Sequence, residues 1–268
     1  MHKYILAAAM LLSIGAMAGC GSSGSSTPTT STVTGKVADG YLSGAVVFMD
    51  KNGNYQLDSG EPSTTTDQNG AYTLNVDPAD IGLYPIVAIA VKGQTIDMDN
   101  PTQTLTYSYL LSLPKESVSG TVSSNFISPV SSELREMTET GTYTMEQAMI
   151  QLRTRLGLQA GTDVLADYMA DQANSDFQTM HTAARNMTAL MGSQMNQVMA
   201  AGTTGTQLMD VNRYRAMMGT IFGNMSTLRI QTPDPAMIQT MTTTMTANLG
   251  NMPAGTPYRN MSTSFRCQ

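Results

Sequence analysis

The chain is poor in the residues that support disulfide scaffolds, zinc sites and large aromatic cores. Among its 268 residues there are two cysteines, two histidines, five phenylalanines and no tryptophan. Two cysteines cannot build a disulfide-rich fold, and no Cys/His pattern is present for a structural zinc ion. A chain of this length can form one or two domains, each able to bury a core.

Basic residues and long apolar runs are also scarce. Fourteen Lys and Arg residues stand against 20 Asp and Glu residues, which gives a formal net charge of −6, and the basic residues form no cluster. A chain without a basic patch is not expected to bind nucleic acid or anionic lipid surfaces. After residue 20 the longest apolar run, 85–91, suits one buried strand, so no transmembrane helix is predicted there.

Recognisable catalytic patterns are absent. The sequence has no HExxH motif and no glycine-rich phosphate loop. Beyond the first twenty residues the one histidine is His181, and Ser175 and Asp176 lie one or more turns away on the same predicted helix. A catalytic triad needs the three side chains in contact. We therefore predict a protein that is not an enzyme, although a deep pocket holding His181 and a carboxylate would favour a hydrolase.

The first nineteen residues have the pattern of a secretory signal peptide. Lys3 precedes an apolar run that is followed by small residues up to Gly19. Met17-Ala18-Gly19-Cys20 resembles the bacterial lipobox, which implies that Cys20 is lipidated and anchors the protein in a membrane. Gly21, rather than Asp, implies the cell outer membrane, with the chain periplasmic or surface-exposed. The alternative is ordinary secretion with an incidental cysteine.

The lipidation of Cys20 would leave Cys267 without an intramolecular partner. Cys267 then is either a free thiol or a site of intermolecular pairing. Residues 20–31 are rich in Gly, Ser and Thr and predict a flexible tether between the lipid and the folded chain.

The rest of the chain changes its hydrophobic period once, which predicts an α+β protein of two domains. Residues 32–111 contain short apolar runs separated by turn residues, and this pattern predicts an antiparallel β-sandwich. Residues 112–268 have the helical period and predict a Met-rich helical bundle. The β runs are Val33–Val37, Ala45–Met49, Ala71–Val76, the last after the turn signal Asn69-Gly70, and Ile86–Val91.

Capping residues and apolar stripes define the helices. A capping serine with proline, Ser128-Pro129, begins a helix that runs to about Thr140, and a capping box begins the next, which ends near Leu156-Gly157. Two long apolar stripes and a proline-started helix follow. They run from Phe177 to Val198, from Val211 to Leu228 without a gap, and onward from Asp234-Pro235. Glu133, Glu136 and Glu139 share one helix face that we expect to be solvated, and Asp163, Asp167 and Asp171 would share another at i, i+4 spacing.

The twelve residues 50–61 have oxygen-bearing residues at the positions that an EF-hand loop uses to bind calcium. The predicted ligands are Asp50, Asn52, Asn54, the backbone carbonyl of Gln56, Asp58 and Glu61. Position 6, where such loops turn sharply with glycine, is Tyr55, and glycine stands at position 4 instead. Tyrosine at positive φ costs about 1 kcal/mol or more. The alternatives are a redistributed turn, a weaker site, or a polar hairpin loop without a metal.

Several stretches resemble known envelope proteins. Residues 34–45 and 66–74 resemble the two recurring segments of carboxypeptidase-regulatory-like, prealbumin-type β-sandwiches, and the loop 50–61 resembles the calcium loop of the B-type repeats in bacterial surface adhesins. Residues 127–132 and 156–168 resemble the helical half of envelope lipoproteins that carry such a sandwich. The resemblance implies an accessory module without a catalytic zinc site, and not a peptidase.

Methionine is the compositional anomaly of the helical half. Eighteen of the 23 methionines lie between Met137 and Met261. Thioethers select Cu(I), so a copper set is one interpretation, with Met180, His181, Met187, Met191 and Met195 as ligands. The helical spacing favours a bundle core, and an adaptable apolar groove for a partner is a third interpretation. We predict a lipid-anchored, calcium-braced binding, adhesion or scaffold module with an unknown envelope partner; the alternative is a periplasmic Cu(I)-binding protein.

Overall fold

The protein is a mixed α+β structure, and its described part consists of small sheets and six α-helices. The structure, a computed structural model, describes residues 30–120, 125–201, 207–230 and 235–253. The α+β class is therefore confirmed at this level. The predicted signal peptide, Cys20, Cys267 and all of the tether except its last two residues lie outside the described residues, so those predictions stay predictions.

One sheet has three strands in the order β5, β1, β9. Strand β1 covers Ser31–Val37 and pairs antiparallel with β5, Ala71–Val76, after the turn that was predicted at Asn69-Gly70. Strand β9, Asn125–Ile127, pairs with β1 in parallel. Gly35 permits this pairing, because a Cβ there would lie 2.0 Å from the Asn125 carbonyl oxygen. A strand from the segment predicted as helical thus completes a sheet of the β segment.

The second sheet has four antiparallel strands in the order β4, β3, β6, β8. Strand β8 is buried at all five residues and β6 at four of five, so both faces of these strands are covered. Two further sheets have two strands each: β2 pairs with β7, and β10 pairs with β11. The bounds are β2 Leu42–Ser43, β3 Val46–Met49, β4 Ser63–Thr65, β6 Ile86–Ala90, β7 Ile96–Asp97, β8 Tyr109–Leu113, β10 Met199–Ala201 and β11 Gln207–Met209.

The helices begin where the sequence places their caps. Ser128 and Thr144 each form a capping box, and Gly157 ends the second helix in the left-handed region with φ 68°. The prediction of a continuous helix from Val211 to Leu228 was wrong, because the chain breaks at Gly223-Asn224. The bounds are α1 Pro129–Glu139, α2 Met145–Leu156, α3 Ser175–Val198, α4 Val211–Gly223, α5 Met225–Leu228 and α6 Pro235–Gly250, with short 3-10 turns at Pro78–Asp80 and Lys115–Ser117.

Helix α1 lies between the four-stranded sheet and the other helices. It packs on β8 on one side and on α2, α3 and α4 on the others, and nine of its eleven residues are buried. The expectation that Glu133 and Glu136 are solvated was therefore wrong, since both are fully buried. Buried side chains of both sheets and of the helices form one continuous hydrophobic cluster. The division into domains at 111/112 stays a prediction.

The segment 158–174 is a series of turns rather than a helix. The Oδ1 atoms of Asp163, Asp167 and Asp171 each accept the backbone N–H two residues on, at 2.9, 3.1 and 3.1 Å. Aspartate competes with helix formation in this way, because its side-chain oxygen accepts a backbone N–H group that would bond to a backbone carbonyl oxygen in a helix. The shared helix face expected for these three residues is therefore wrong, and Asp167 instead binds Lys36 at 3.0 Å.

Candidate functional site

The loop between β3 and β4 is organised around the carboxylate of Asp50, which is fully buried. Its Oδ1 accepts the backbone N–H groups of Gly53 and Asn54 at 2.9 and 3.1 Å. Its Oδ2 accepts the N–H of Tyr55 at 3.2 Å and the Nη2–H of Arg135, on α1, at 2.9 Å. The first predicted calcium ligand is thus the centre of the loop, and a guanidinium already stands beside it.

Tyr55 makes the sharp turn at the price of backbone strain. Its φ is +62°, the one positive φ of a described non-glycine residue, and Gly53 shares the turn with φ +74°. The ring is buried, lies 3.9 Å from the Arg135 guanidinium carbon and 5.0 Å from the Tyr214 ring, and the hydroxyl is hydrogen-bonded to Glu136. Ring burial, stacking and this bond hold the strained conformation, so the turn is redistributed over Gly53 and Tyr55.

The loop enters a buried ionic network on α1 and α4. Arg135 binds Glu139 at 2.7 Å as well as Asp50, and Arg215 binds Glu136 at 3.2 Å and Glu139 at 2.9 Å. Burial raises the pKa of Glu136, and the two guanidinium groups oppose that shift. The three carboxylates and two guanidinium groups nearly balance, which is the condition for keeping charges inside a protein. This network joins the loop to the helices.

The outer part of the loop brings three more predicted ligands together. The Nδ2 groups of Asn52 and Asn54 both lie 2.7 Å from Asp58 Oδ2. Glu61 closes the loop, because its carboxylate accepts the backbone N–H groups of Lys51 and Asp58 at 2.7 and 3.0 Å. The amide oxygens of Asn52 and Asn54 accept the backbone N–H groups of Asn54 and Gln56 at 3.1 and 2.8 Å, so turning the amides by 180° toward an ion would break these bonds. The structure therefore brings Asn52, Asn54 and Asp58 together, and an ion would have to replace hydrogen bonds that the loop already makes.

The predicted ligands are of the types that calcium prefers, but they offer little negative charge to the ion. Carboxylate, amide and carbonyl oxygens are the ligands that calcium prefers. Of the three loop carboxylates, Asp50 is already paired with Arg135, so Asp58 and Glu61 carry the charge left for an ion. In the described residues no three His, Cys, Asp or Glu side chains are grouped as for a metal ion, so asparagine and carbonyl oxygens would supply much of the coordination. Calcium at this loop stays a prediction, including the carbonyl of Gln56.

A groove of about 610 Å³ lies next to the loop, between β6, β8 and the end of α3. Leu57 of the loop lines one wall, and Met195, Met199 and Met209 line the other. Leu57 is 43% exposed. Among the described residues lining the groove, Lys92 is the charged one. The groove can accept an apolar group and a neighbouring negative charge.

The methionines of the predicted copper set divide between the core and this groove. Met180, Met187 and Met191 are fully buried in the hydrophobic cluster, and Met195 is half-buried at the groove. His181 faces elsewhere: its Nε2 lies 2.7 Å from Asp99 Oδ2, and its ring stacks on Tyr168 at 5.9 Å. Three of the four methionines therefore lie in the core, which is where the core interpretation places them. Copper binding stays a prediction.

A second polar site was missed by sequence reasoning. Asp39, Asp97 and Arg185 line a cavity of about 360 Å³ beside α3, and Asp99, which binds Arg185 and His181, lies next to it. The pair Asp39-Gly40 lies inside one of the resembling stretches, where the sequence indicates a β-sandwich and no site. Sequence reasoning also missed Arg135, because its partner Asp50 is 85 residues away and no local pattern predicts that the two side chains pair.

Comparisons of the chain with protein-family models, with curated proteins and with solved structures find no match. Function has to be inferred from the chemistry of the loop, the groove and the carboxylate cavity. None of the described helices is long and apolar enough to cross a membrane.

Proposed function

We propose that the chain is a non-enzymatic, lipid-anchored protein of the bacterial cell envelope that binds a partner at the groove beside a braced loop. The observation that carries this proposal is the position of the loop. Asp50 and Tyr55 are fixed to α1 by Arg135 and Glu136, and the next residues, Gln56 and Leu57, line the groove. A loop held this firmly presents a preorganised surface, which lowers the cost of binding.

The anchor is supported by the sequence Met17-Ala18-Gly19-Cys20 after an apolar run. A single acyl chain binds membranes only marginally, so stable anchoring needs more than one chain on the cysteine. We expect the natural protein to sediment with outer membranes and the Cys20→Ser variant to be found in the soluble envelope fraction. Equal membrane association of the two proteins would contradict lipidation at Cys20.

The finer architecture belongs to the same proposal. The two sheets, β5-β1-β9 and β4-β3-β6-β8, would form a prealbumin-like β-sandwich, and the helices from α1 onward a bundle packed against it. The shared core and the short β4 strand next to β5 support the sandwich. The sandwich would act as an accessory module that positions the loop, and the bundle as the part that presents the partner surface.

The loop would also hold calcium through Asn52, Asn54, the Gln56 carbonyl, Asp58 and Glu61, with Asp50 shared between the ion and Arg135. Bound calcium would supply two positive charges that fix the exposed half of the loop. Because two carboxylates remain for the ion, we expect affinity at the weak end for extracellular modules, about 10⁻⁴–10⁻³ M. Calorimetric titration tests this: no heat and no rise in melting temperature at millimolar calcium would remove calcium from the proposal.

The partner we expect is a protein segment with an apolar side chain next to an acidic one. Methionine side chains repack around different apolar groups, so Met195, Met199 and Met209 would accommodate the apolar anchor. Lys92 at the groove would pair with the acidic residue. The volume of about 610 Å³ is within the range of natural ligand sites.

A photo-crosslinking residue at Leu57 tests the groove in native envelopes. We expect one discrete adduct from position 57, and none from Leu83, an exposed leucine away from the groove that serves as the matched control. The Met195→Glu variant should abolish the adduct, because it places a negative charge where the apolar anchor and the neighbouring acidic residue of the partner would bind. Equal adducts from both positions would show that the groove is not a specific surface.

The non-enzymatic part of the proposal rests on the surroundings of His181. Its described side-chain hydrogen bond is to Asp99, and its ring is stacked on Tyr168. A nucleophile activated by this histidine would need to lie within hydrogen-bonding distance of a ring nitrogen.

A further inference from the structure

The cavity beside α3 contains a carboxylate oxygen that the protein leaves unsatisfied. Asp39 is only 4% exposed, and its Oδ2 accepts the hydroxyls of Tyr109 at 2.8 Å and Thr188 at 2.7 Å. Its Oδ1 is buried and has no hydrogen-bond partner among the described residues. Asp39 lines the cavity, so Oδ1 is the oxygen left for a ligand or a proton. Buried polar atoms in proteins are nearly always satisfied, and an exception calls for an explanation.

A second carboxylate is held against the same cavity. Asp97 ends β7, and its Oδ1 accepts the backbone N–H of Asp99 at 2.9 Å. Gly40 makes this approach possible, because a Cβ at residue 40 would lie 2.3 Å from Asp97 Oδ1 and 2.7 Å from Asp99 Cγ. Any larger residue would push the two aspartates away from the segment that carries Asp39. The chain thus places two carboxylates on one small cavity.

Among the described residues, no basic side chain lies within ion-pair distance of Asp39 or Asp97. Asp99 binds the two nearby basic side chains, with His181 Nε2 at 2.7 Å and Arg185 Nε at 3.6 Å from its Oδ2. Burial first, and the charge of Asp97 second, raise the pKa of Asp39 to about 7. Burial also raises the pKa of Asp97, and the charges of Arg185 and His181 oppose that shift. Burial without a direct ion pair therefore disfavours the ionised forms of Asp39 and Asp97, although Arg185 lines the same cavity.

We propose that this cavity binds a small organic cation through a primary ammonium group, whose N–H donors bond to Asp39 Oδ1 and to Asp97. The ammonium would supply the missing charge and the missing hydrogen bond together. Leu105 and Ala189 in the lining would contact its aliphatic part. A volume of about 360 Å³ is enough for a small molecule. A divalent ion, which needs six or more oxygen ligands, is a poorer fit to two carboxylates.

The charged and titratable groups that face Asp39 come from every element around the cavity. They are Asp97 and Asp99 from β7 and its turn, Tyr107 and Tyr109 from the β8 region, Tyr168 from the turns before α3, and His181 and Arg185 from α3. An ammonium group binds the ionised form of Asp39. Ammonium binding should therefore strengthen as the pH rises through 7.

Calorimetric titration of the whole protein with n-butylammonium tests the site. From the fraction of Asp39 that is ionised, binding at pH 8 should be about thirtyfold tighter than at pH 5.5. N,N,N-trimethylbutylammonium has the same charge but no N–H donors, and it should bind at least about tenfold more weakly because the hydrogen bonds are lost. Absence of binding at pH 8, or equal binding at the two pH values, would overturn the proposal.

Two isosteric variants locate the site. Asp39→Asn keeps an acceptor for Tyr109 and Thr188 but loses the charge, and Asp97→Asn removes the second charge; both should weaken n-butylammonium binding at least about tenfold. Asp163→Asn is the control, since this exposed aspartate caps a turn that asparagine also caps. If Asp39→Asn binds n-butylammonium as tightly as the control, the site is wrong. Calcium binding that depends on Asp39 without ammonium binding would also overturn it. If Asp39→Asn does not fold, the pH ratio and the trimethyl control on the natural protein decide the question.

Discussion

At the scale of single residues, the clearest departure from a conventional core is Glu133. This glutamate is fully buried in α1, and neither of its carboxylate oxygens has a hydrogen-bond partner among the described residues. Burial, and then the neighbouring Glu136, raise its pKa well above the ordinary value. Burial therefore favours the protonated form of Glu133 in the folded protein more than in the unfolded chain.

The sign of the pH effect follows from this difference. The folded state holds a proton that the unfolded state loses above about pH 4, so stability falls as the pH rises from there. We expect Glu133→Met to flatten this fall and to raise the free energy of unfolding at pH 8 by about 1–3 kcal/mol, because methionine needs no polar partner. Urea unfolding at pH 5 and pH 8 measures it. Exposed Glu116→Met is the control, and a variant that is less stable at pH 8 would contradict the assignment.

Tyr55 permits a second test at the residue scale. Tyr55→Phe keeps the ring, the stacking on Arg135 and the positive φ, and it removes only the hydroxyl bonded to Glu136. Because Glu136 is then left short of a donor inside the protein, we expect a loss of about 1–3 kcal/mol in unfolding free energy. Tyr84→Phe, at a half-buried tyrosine outside the network, should change stability by less than about 0.5 kcal/mol. Equal effects of the two substitutions would remove the hydroxyl from the network.

At the scale of elements, α1 carries the link between sheet and bundle, and Arg135 is its centre. Arg135→Gln would leave the buried Asp50 without its guanidinium partner and Glu139 with Arg215 alone, which should cost about 3–5 kcal/mol in stability. Asp50 would then be free for an ion. We expect millimolar calcium to raise the melting temperature of Arg135→Gln more than that of the natural protein. Arg153→Gln on α2 is the matched control, and equal calcium shifts in all three proteins would show that Arg135 and the ion do not compete.

The elements that sequence predicts well are those with local signals. Capping boxes at Ser128 and Thr144 fix the starts of α1 and α2, and the turn at Asn69-Gly70 fixes the start of β5. Within that turn Gly70 has a positive φ and Asn69 does not. Strand β9 has no such signal, since it exists only because β1 lies beside it. The spacing of Asp163, Asp167 and Asp171 is helical, but the side chains bond to their own backbone first. Helix α4 likewise ends at Gly223, because glycine is a poor helix former, although the apolar stripe continues beyond it.

The candidate site divides in the same way. The oxygen ligands of the loop follow from the spacing of residues 50–61, because a loop of twelve residues is a local object. Arg135, Asp97 and the cavity of Asp39 depend on contacts between distant segments, for example 149 residues from Asp39 to Thr188. Composition and periodicity carry no information on such pairs, and the burial of Glu133 and Glu136 depends on α1 being covered on several sides.

At the scale of the whole molecule, the sheets and helices share one core and one ionic network. We therefore expect a single cooperative unfolding transition, although the sequence predicts two domains. The chain has no tryptophan, so Tyr84→Trp near the sheets and Tyr143→Trp before α2 give separate fluorescence probes. Their urea midpoints should coincide with each other and with the far-ultraviolet circular dichroism. Two distinct midpoints would show that the parts unfold independently.

The parallel pairing of β1 with β9 has a consequence for the order in which the molecule is made. Gly35 and Asn125 are 90 positions apart, so β1 leaves the ribosome long before β9, its neighbour at the edge of the sheet, exists. Until then β1 can pair only with β5, and its other edge stays open to unwanted association. Closure of such distant contacts is slow. We expect nascent chains that stop before residue 125 to be the ones that need chaperone protection, because one edge of β1 is then unpaired.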